Sequence, residues 1–121
     1  MKLDAYNKFC GSLPHATHVV QWGGAHVWKV GGKVFAIAGW NDGNELAVTF
    51  KCSPISFDLL KQQRGLRPAP YLASRGMSWI QRTSSASMDD GALKDYLRAS
   101  HRLASLNLTK KLQRELGLNS G

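Results

Sequence analysis

The sequence is short of acid and of cysteine, and it has no long apolar run. Each shortage excludes something. No window approaches the roughly 18 apolar residues of a membrane-spanning helix. The opening MKLDAYNKFCGSL has acids and polar residues where a secretory signal needs an unbroken apolar stretch, so the expected location is the cytoplasm. The two cysteines, Cys10 and Cys52, form no C-x-x-C pair and are expected to be reduced thiols with packing roles. The four histidines, His15, His18, His26 and His101, give zinc no recognisable ligand set, and no metal or other cofactor is expected. GGAHVWKVGGK holds glycine pairs but neither the dinucleotide fingerprint nor the P-loop spacing. No nucleophile elbow or Ser/His/Asp arrangement stands out. The candidate carboxylates, Asp42, Glu45, Asp58 and the Asp89-Asp90 pair, all suit turns or helix caps. No enzyme is expected.

What the sequence does have is positive charge. Sixteen Lys and Arg oppose eight Asp and Glu, a net charge of +8. Residues 1–60 carry five basic against four acidic residues, and residues 61–121 carry eleven against four, so +7 of the +8 lies in the second half. A one-sided basic field attracts polyanions and speeds their encounter.

A chain of 121 residues is one domain with room for a real core, expected over 1–121 with a loose tail at about 118–121. Leu3, Tyr6, Phe9 and Cys10 recur at spacings of three and four, one face of a short helix that Gly11 and Pro14 end. THVVQW, HVWKV and KVFAIAGW then read as strands around Gly23-Gly24 and Gly31-Gly32, the latter a two-residue hairpin turn. Strict alternation predicts Val34, Ala36 and Ala38 on one face and Phe35, Ile37 and Gly39 on the other. NDGNE marks a turn before the strand LAVTFKC. Ser53 and Pro54 start a helix as N-cap and first helical residue, and Gly65 is its stop. GMSWIQRT is a further strand, with Trp79 and Ile80 on opposite faces. From SMDDGALKDYLRASHRLASL the helical period returns, with Ser87 or Asp89 as its cap and Leu93, Tyr96/Leu97, Ser100 and Leu103/Ala104 on one stripe. Leu108, Leu112 and Leu116 line one side of a last short helix, with Lys110, Lys111 and Arg114 on the other. The expected fold is α+β: an antiparallel meander with an N-terminal helix, one middle helix and C-terminal helices packed on it.

The stretch RPAPYLASRGMSWIQR, from Arg67 to Arg82, concentrates cations and rings around two prolines. Arg64, Arg67, Arg75 and Arg82 are expected within reach of one surface. Arginine forks pair with phosphates at two points, and exposed rings stack on unpaired bases. If Tyr71, Trp79 and Ile80 are core instead, the arginines are a solvated rim.

The ordered segments VWKVGGKVFAI, FDLLKQQRGLRPAPYLASRGMSWIQ and LKDYLRASHRLASLNLTKKLQREL resemble the MmcQ/YjbR family over residues 14 to 116. The resemblance implies an α+β fold likened to frataxin (CyaY) and the secretion chaperones. It also implies DNA binding through a "double wing" arrangement. The family positions carried over are Lys29, Gly31, Gly32, Lys33 and Phe35; Arg67, Pro68, Ala69, Tyr71 and Trp79; and Ser100, Lys110 and Lys111. The chain departs in having His101 where the family often has tyrosine, and no histidines ahead of Trp79.

The expectation is a monomeric DNA-binding domain that grips phosphates with little base specificity. Lys29, Lys33, Arg64, Arg67, Arg75, Arg82, Lys110, Lys111 and Arg114 would supply the charge. The turns at Gly31-Gly32 and Asn41–Asn44 would act as wings. The rival is a protein- or small-ligand-binding module. An exposed patch among Trp22, Trp28, Trp40 and Trp79 would favour it.

Overall fold

Two glycine pairs and three N-caps punctuate the chain, and the computed structural model places them at element ends; it describes residues 1–41, 43–72 and 77–119. Gly23 and Gly24 take φ of +79° and +89°, and Gly31 and Gly32 +55° and +83°. Only the left-handed region gives hairpin turns tight enough to fold each strand back on the last. Around these turns lie β1 (Ala16–Gln21), β2 (Ala25–Val30) and β3 (Lys33–Ala38), followed by β4 (Val48–Lys51). Ser53 Oγ accepts from the Ser56 amide, Pro54 opens α2 (Pro54–Leu60), and the Asp89 carboxylate caps α3 (Asp90–Leu106) in the same way. Between those helices run β5 (Leu66–Pro68) and β6 (Trp79–Arg82). The chain starts with α1 (Leu3–Gly11) and its last helix is α4 (Lys110–Glu115), capped by Thr109.

The strands form one antiparallel sheet in the order β1-β2-β3-β4-β6-β5. The first four are the expected meander. The last two are transposed, because β6 pairs with β4 and leaves β5 at the edge. Helices α1 and α3 cover one face, where Tyr6, Cys10, Trp28, Phe35, Phe50, Ile80, Leu93 and Leu97 make the principal core. Ala25, Val27 and Ile37 form a smaller cluster on the other face, with Val34, Trp40 and Leu72 against it.

The expected alternation along β3 fails at one point. Trp28 pairs with Ala36 but Lys29 pairs with Val34, so β3 carries one extra residue, Phe35. A β-bulge shifts every side chain beyond it by one place. Phe35, Ala36 and Ala38 therefore all join the principal core, and Val34 falls on the face of Ile37. Ser100 of α3 staples this end of the sheet. Its hydroxyl donates to the Phe35 carbonyl at 2.6 Å and accepts from the Lys51 amide at 2.8 Å.

The expected loose tail is corrected at its start. Leu118 is buried in the core and Asn119 Nδ2 donates to Ser105 Oγ and Gln113 Oε1. An apolar side chain next to the Gly117 turn (φ +69°) folds back onto the helices rather than staying in water.

Candidate nucleic-acid interface

Antiparallel register places one residue from each strand in a single row: Val19, Val27, Ile37, Thr49, Gln81 and Arg67. Cross-strand partners share a face, so all six lie opposite the principal core. Beside them on that face stand the pairs Lys29–Val34 and Lys51–Trp79. The middle of the row is buried although half of it is polar. Gln81 is satisfied at both ends: its Nε2 donates to the Trp40 carbonyl at 3.2 Å and its Oε1 accepts from Arg67 Nε at 2.6 Å. Thr49 Oγ1 and Trp79 Nε1 are buried with no hydrogen-bond partner among the described residues. Buried polar atoms are nearly always paired, so two orphans on one face mark it as unusual.

An aromatic cluster stands over this floor. Trp22 and Trp40 have ring centroids 6.2 Å apart, and Trp40 and Tyr71 5.7 Å apart, edge to face. Trp40 Nε1 donates to the Trp22 carbonyl at 3.2 Å. All three residues hold left-handed backbone, with φ of 54°, 58° and 67°. That region is costly for a bulky residue, about 1–3 kcal/mol each, and such strain gathers at functional sites. Trp22 is 50% and Tyr71 73% exposed, so the cluster offers ring faces to solvent. The other two tryptophans are structural, Trp28 in the core and Trp79 in the floor.

Two adjoining hollows share Trp22 and Leu72. One, of about 300 Å³, runs over Ile37 and Trp79 to Lys33, Lys51 and Asn107. The other is more open and is walled by Trp22, Trp40 and Tyr71. Among the described residues no carboxylate lines either. A larger hollow, about 900 Å³, lies elsewhere, and its lining mixes Glu45, Asp89 and Asp90 with Lys2, Arg82 and the Met1 amine.

The predicted cations divide sharply. A Cβ on Gly31 would lie 2.7 Å from a Leu108 methyl, so the β2–β3 turn is seated on the residue just ahead of α4. That contact puts exposed Lys33 at the same end as exposed Lys110 and Lys111, with Arg114 one turn further along. Lys29 is half-buried on the face of the Val27–Ile37 row, opposite to the neighbouring pair Val30–Lys33. Arg64 and Arg67 lie apart, at the β5 edge. Arg75 is outside the described residues, and so is Asp42 of the second expected wing.

Arg82 is a correction. It pairs with Leu66 in register, while Arg67 pairs with Gln81, so the two arginines lie on opposite faces. Arg82 is 3% exposed; its Nε donates to the Met88 carbonyl at 2.9 Å and its guanidinium meets Asp90 at 3.0 Å. It holds the start of α3 and is not open to a phosphate. Of the family positions, Phe35 and Ser100 are buried structural residues, while Gly31 and Gly32 make the turn. Pro68 is exposed at the β5 edge. Lys51 is the cation the sequence did not single out. Its only signal was alternation along β4, which places it opposite Phe50.

The remaining titratable groups settle into packing. Cys10 and Cys52 are buried free thiols; burial pushes them up to about 12 and about 11. His101 Nε2 donates to the Pro14 carbonyl at 2.8 Å. His18 Nε2 and His26 Nδ1 are 3.0 Å apart, and His18 stacks on Trp28. No group of three or more His, Cys, Asp or Glu placed to hold a metal occurs among the described residues. No described helix is long and apolar enough to cross a membrane.

Comparison with known proteins gives a family and a fold. The YjbR family model matches residues 11–103. The Deinococcus radiodurans protein DR2400, which carries the family-model domain DUF419, is similar in structure at TM-score 0.83 and 24% identity, over 97% of this chain and 88% of that one. A Pseudomonas syringae protein is similar at TM-score 0.68 and 13% identity, over 86% of this chain and 99% of that one. No curated protein matches.

Proposed function

The chain belongs to the YjbR family, and from the lysines gathered at one end of its sheet we propose that it is a cytoplasmic, monomeric nucleic-acid-binding module. It holds DNA mainly by phosphates and with little base specificity. The observation that supports this reading is the seating of the Gly31 turn on Leu108, which brings Lys33, a lining residue of the groove with Lys51, to the end of the sheet where Lys110 and Lys111 begin α4. Lysines are compact point charges suited to phosphates and indifferent to base identity. The helix beside them, Lys110–Glu115, is only six residues long and is ill suited to reading a major groove.

The test is an anisotropy titration of labelled 20-mer duplex and single strand from low to physiological salt. Four phosphate contacts would give a slope of log K against log salt of about −3 to −4. The variant K33Q/K110Q/K111Q should stay folded, weaken binding and flatten that slope by roughly 2–3. Loss of all binding near physiological salt would mean the charge is only a nonspecific attractor.

A second reading rests on β1. It has a neighbour on one side only and exposes Val19 (37%) and Val20 (52%) along an edge strand. Open apolar edges pair with extended peptide. Nucleic-acid binding that fails at physiological salt, together with retention of a protein partner that V20K abolishes, would favour it.

A further inference from the structure

Phosphate contacts leave the aromatic end of the groove unexplained. Trp22, Trp40 and Tyr71 keep strained backbone, and Trp22 and Tyr71 present rings to water beside a hollow that no carboxylate lines among the described residues. The hollow continues through Trp22 and Leu72 to Lys33 and Lys51. Buried Trp79 forms part of the floor. A ligand that fits has a flat ring at one end and an anion at the other. We propose that this groove is a base-stacking site for single-stranded nucleic acid: an unpaired base lies on Trp22 and Tyr71, and the adjoining phosphate meets Lys33 and Lys51. A paired base cannot enter, because its faces are already stacked within the duplex. The lining favours this occupant over an apolar peptide through its charge, two lysines and no carboxylate among the described residues. The proposal rests on the nucleic-acid reading above and adds the strand form that the site selects.

Stacking against one aromatic residue is lost as roughly a tenfold drop in affinity. The test compares three labelled 12-mers: oligo-dT, its duplex with oligo-dA, and an abasic strand with the same phosphates. W22N is the first variant, since asparagine tolerates the left-handed backbone at this exposed position. K33Q is the control. Wild type should bind oligo-dT best, with quenching of tryptophan fluorescence. W22N should bind oligo-dT about tenfold more weakly, near the wild-type affinity for the abasic strand, with duplex affinity unchanged. K33Q should weaken all three. If W22N and wild type bind oligo-dT alike, or wild type binds abasic and oligo-dT strands alike, the stacking site is overturned while the phosphate reading stands. If none of the three binds near physiological salt, both are overturned.

Discussion

Adding one methyl group at Gly31 should cost more than adding it at Gly32, and the difference measures the contact that assembles the basic end. Both glycines have left-handed backbone, φ +55° and +83°. Alanine in that region costs about 1–2 kcal/mol at either site. The surroundings differ. At Gly32 a Cβ meets nothing within 4 Å. At Gly31 it would lie 2.7 and 2.8 Å from the two Leu108 methyls, and Leu108 is only 7% exposed. Leu108 must move against a packed core, an overpacking cost of about 1–3 kcal/mol. The total for G31A, about 2–5 kcal/mol, leaves a typical domain folded. Urea unfolding followed by tryptophan fluorescence is the assay. With a slope near 1.5 kcal/mol per molar urea, the G31A midpoint should fall about 1 M below that of G32A. The double variant G31A/L108A sharpens the test, because shortening Leu108 removes the obstacle. Its loss should be less than the sum of the two single losses by about 1–3 kcal/mol. Equal midpoints for G31A and G32A, with strict additivity in the double variant, would refute the idea that the turn sits on Leu108.

Three other predictions follow from the same structure. S100A leaves the Phe35 carbonyl and the Lys51 amide unpaired. It should lose about 2–4 kcal/mol in urea unfolding with nucleic-acid affinity intact, and a loss under 1 kcal/mol would contradict the staple. The Met1 amine hydrogen-bonds Asp90 at 3.0 Å and, with Arg82, holds its carboxyl below the ordinary range. A depressed carboxyl stabilises the fold above its unfolded value, about 3.9, and loses that contribution as pH falls through the folded value. Wild type should therefore exceed D90N in Tm at pH 6, and the gap should close toward pH 2.5; a gap independent of pH would remove the ion pair as its cause. Burial pushes Cys10 up to about 12 and Cys52 up to about 11, so few thiolates exist at pH 8. Ellman's reagent should leave both thiols untouched in the native protein and modify both in urea, and rapid native modification would contradict their burial.

Signals carried by neighbours in sequence were legible, and signals that depend on register were not. A cap or a tight turn is a contract between residues two or three apart. Ser53-Pro54 and the two glycine pairs therefore read correctly from the local sequence, which left the cap of α3 between Ser87 and Asp89. The sheet order was not legible beyond β4. β5 is three residues long and contains Pro68, a weak strand signal. Its place outside β6 is fixed by a pairing between residues about fifteen apart. The bulge at Phe35 was equally hidden, since a single extra residue leaves no mark in an apolar run and becomes visible only against its partner strand.

The same parity decides what the basic charge can do. Arg67 and Arg82 look equivalent in sequence, but a strand turns alternate residues to opposite faces. Gln81 is Arg67's partner and Leu66 is Arg82's, so one arginine borders the open face and the other is consumed in holding α3. Lys51 gains by the same rule, because Phe50 takes the core and leaves it facing the groove. The aromatic residues add a constraint that charge does not. Solvated cations at a sheet end need no strained backbone to stay in water. Left-handed φ at Trp22, Trp40 and Tyr71 is paid for by the packing around them, and packing alone does not require Trp22 and Tyr71 to remain so exposed. Charge of this kind accounts for attraction to any polyanion, whereas exposed rings held at this cost select one with bases to stack. The ratio of oligo-dT to abasic-strand affinity therefore separates selection from attraction.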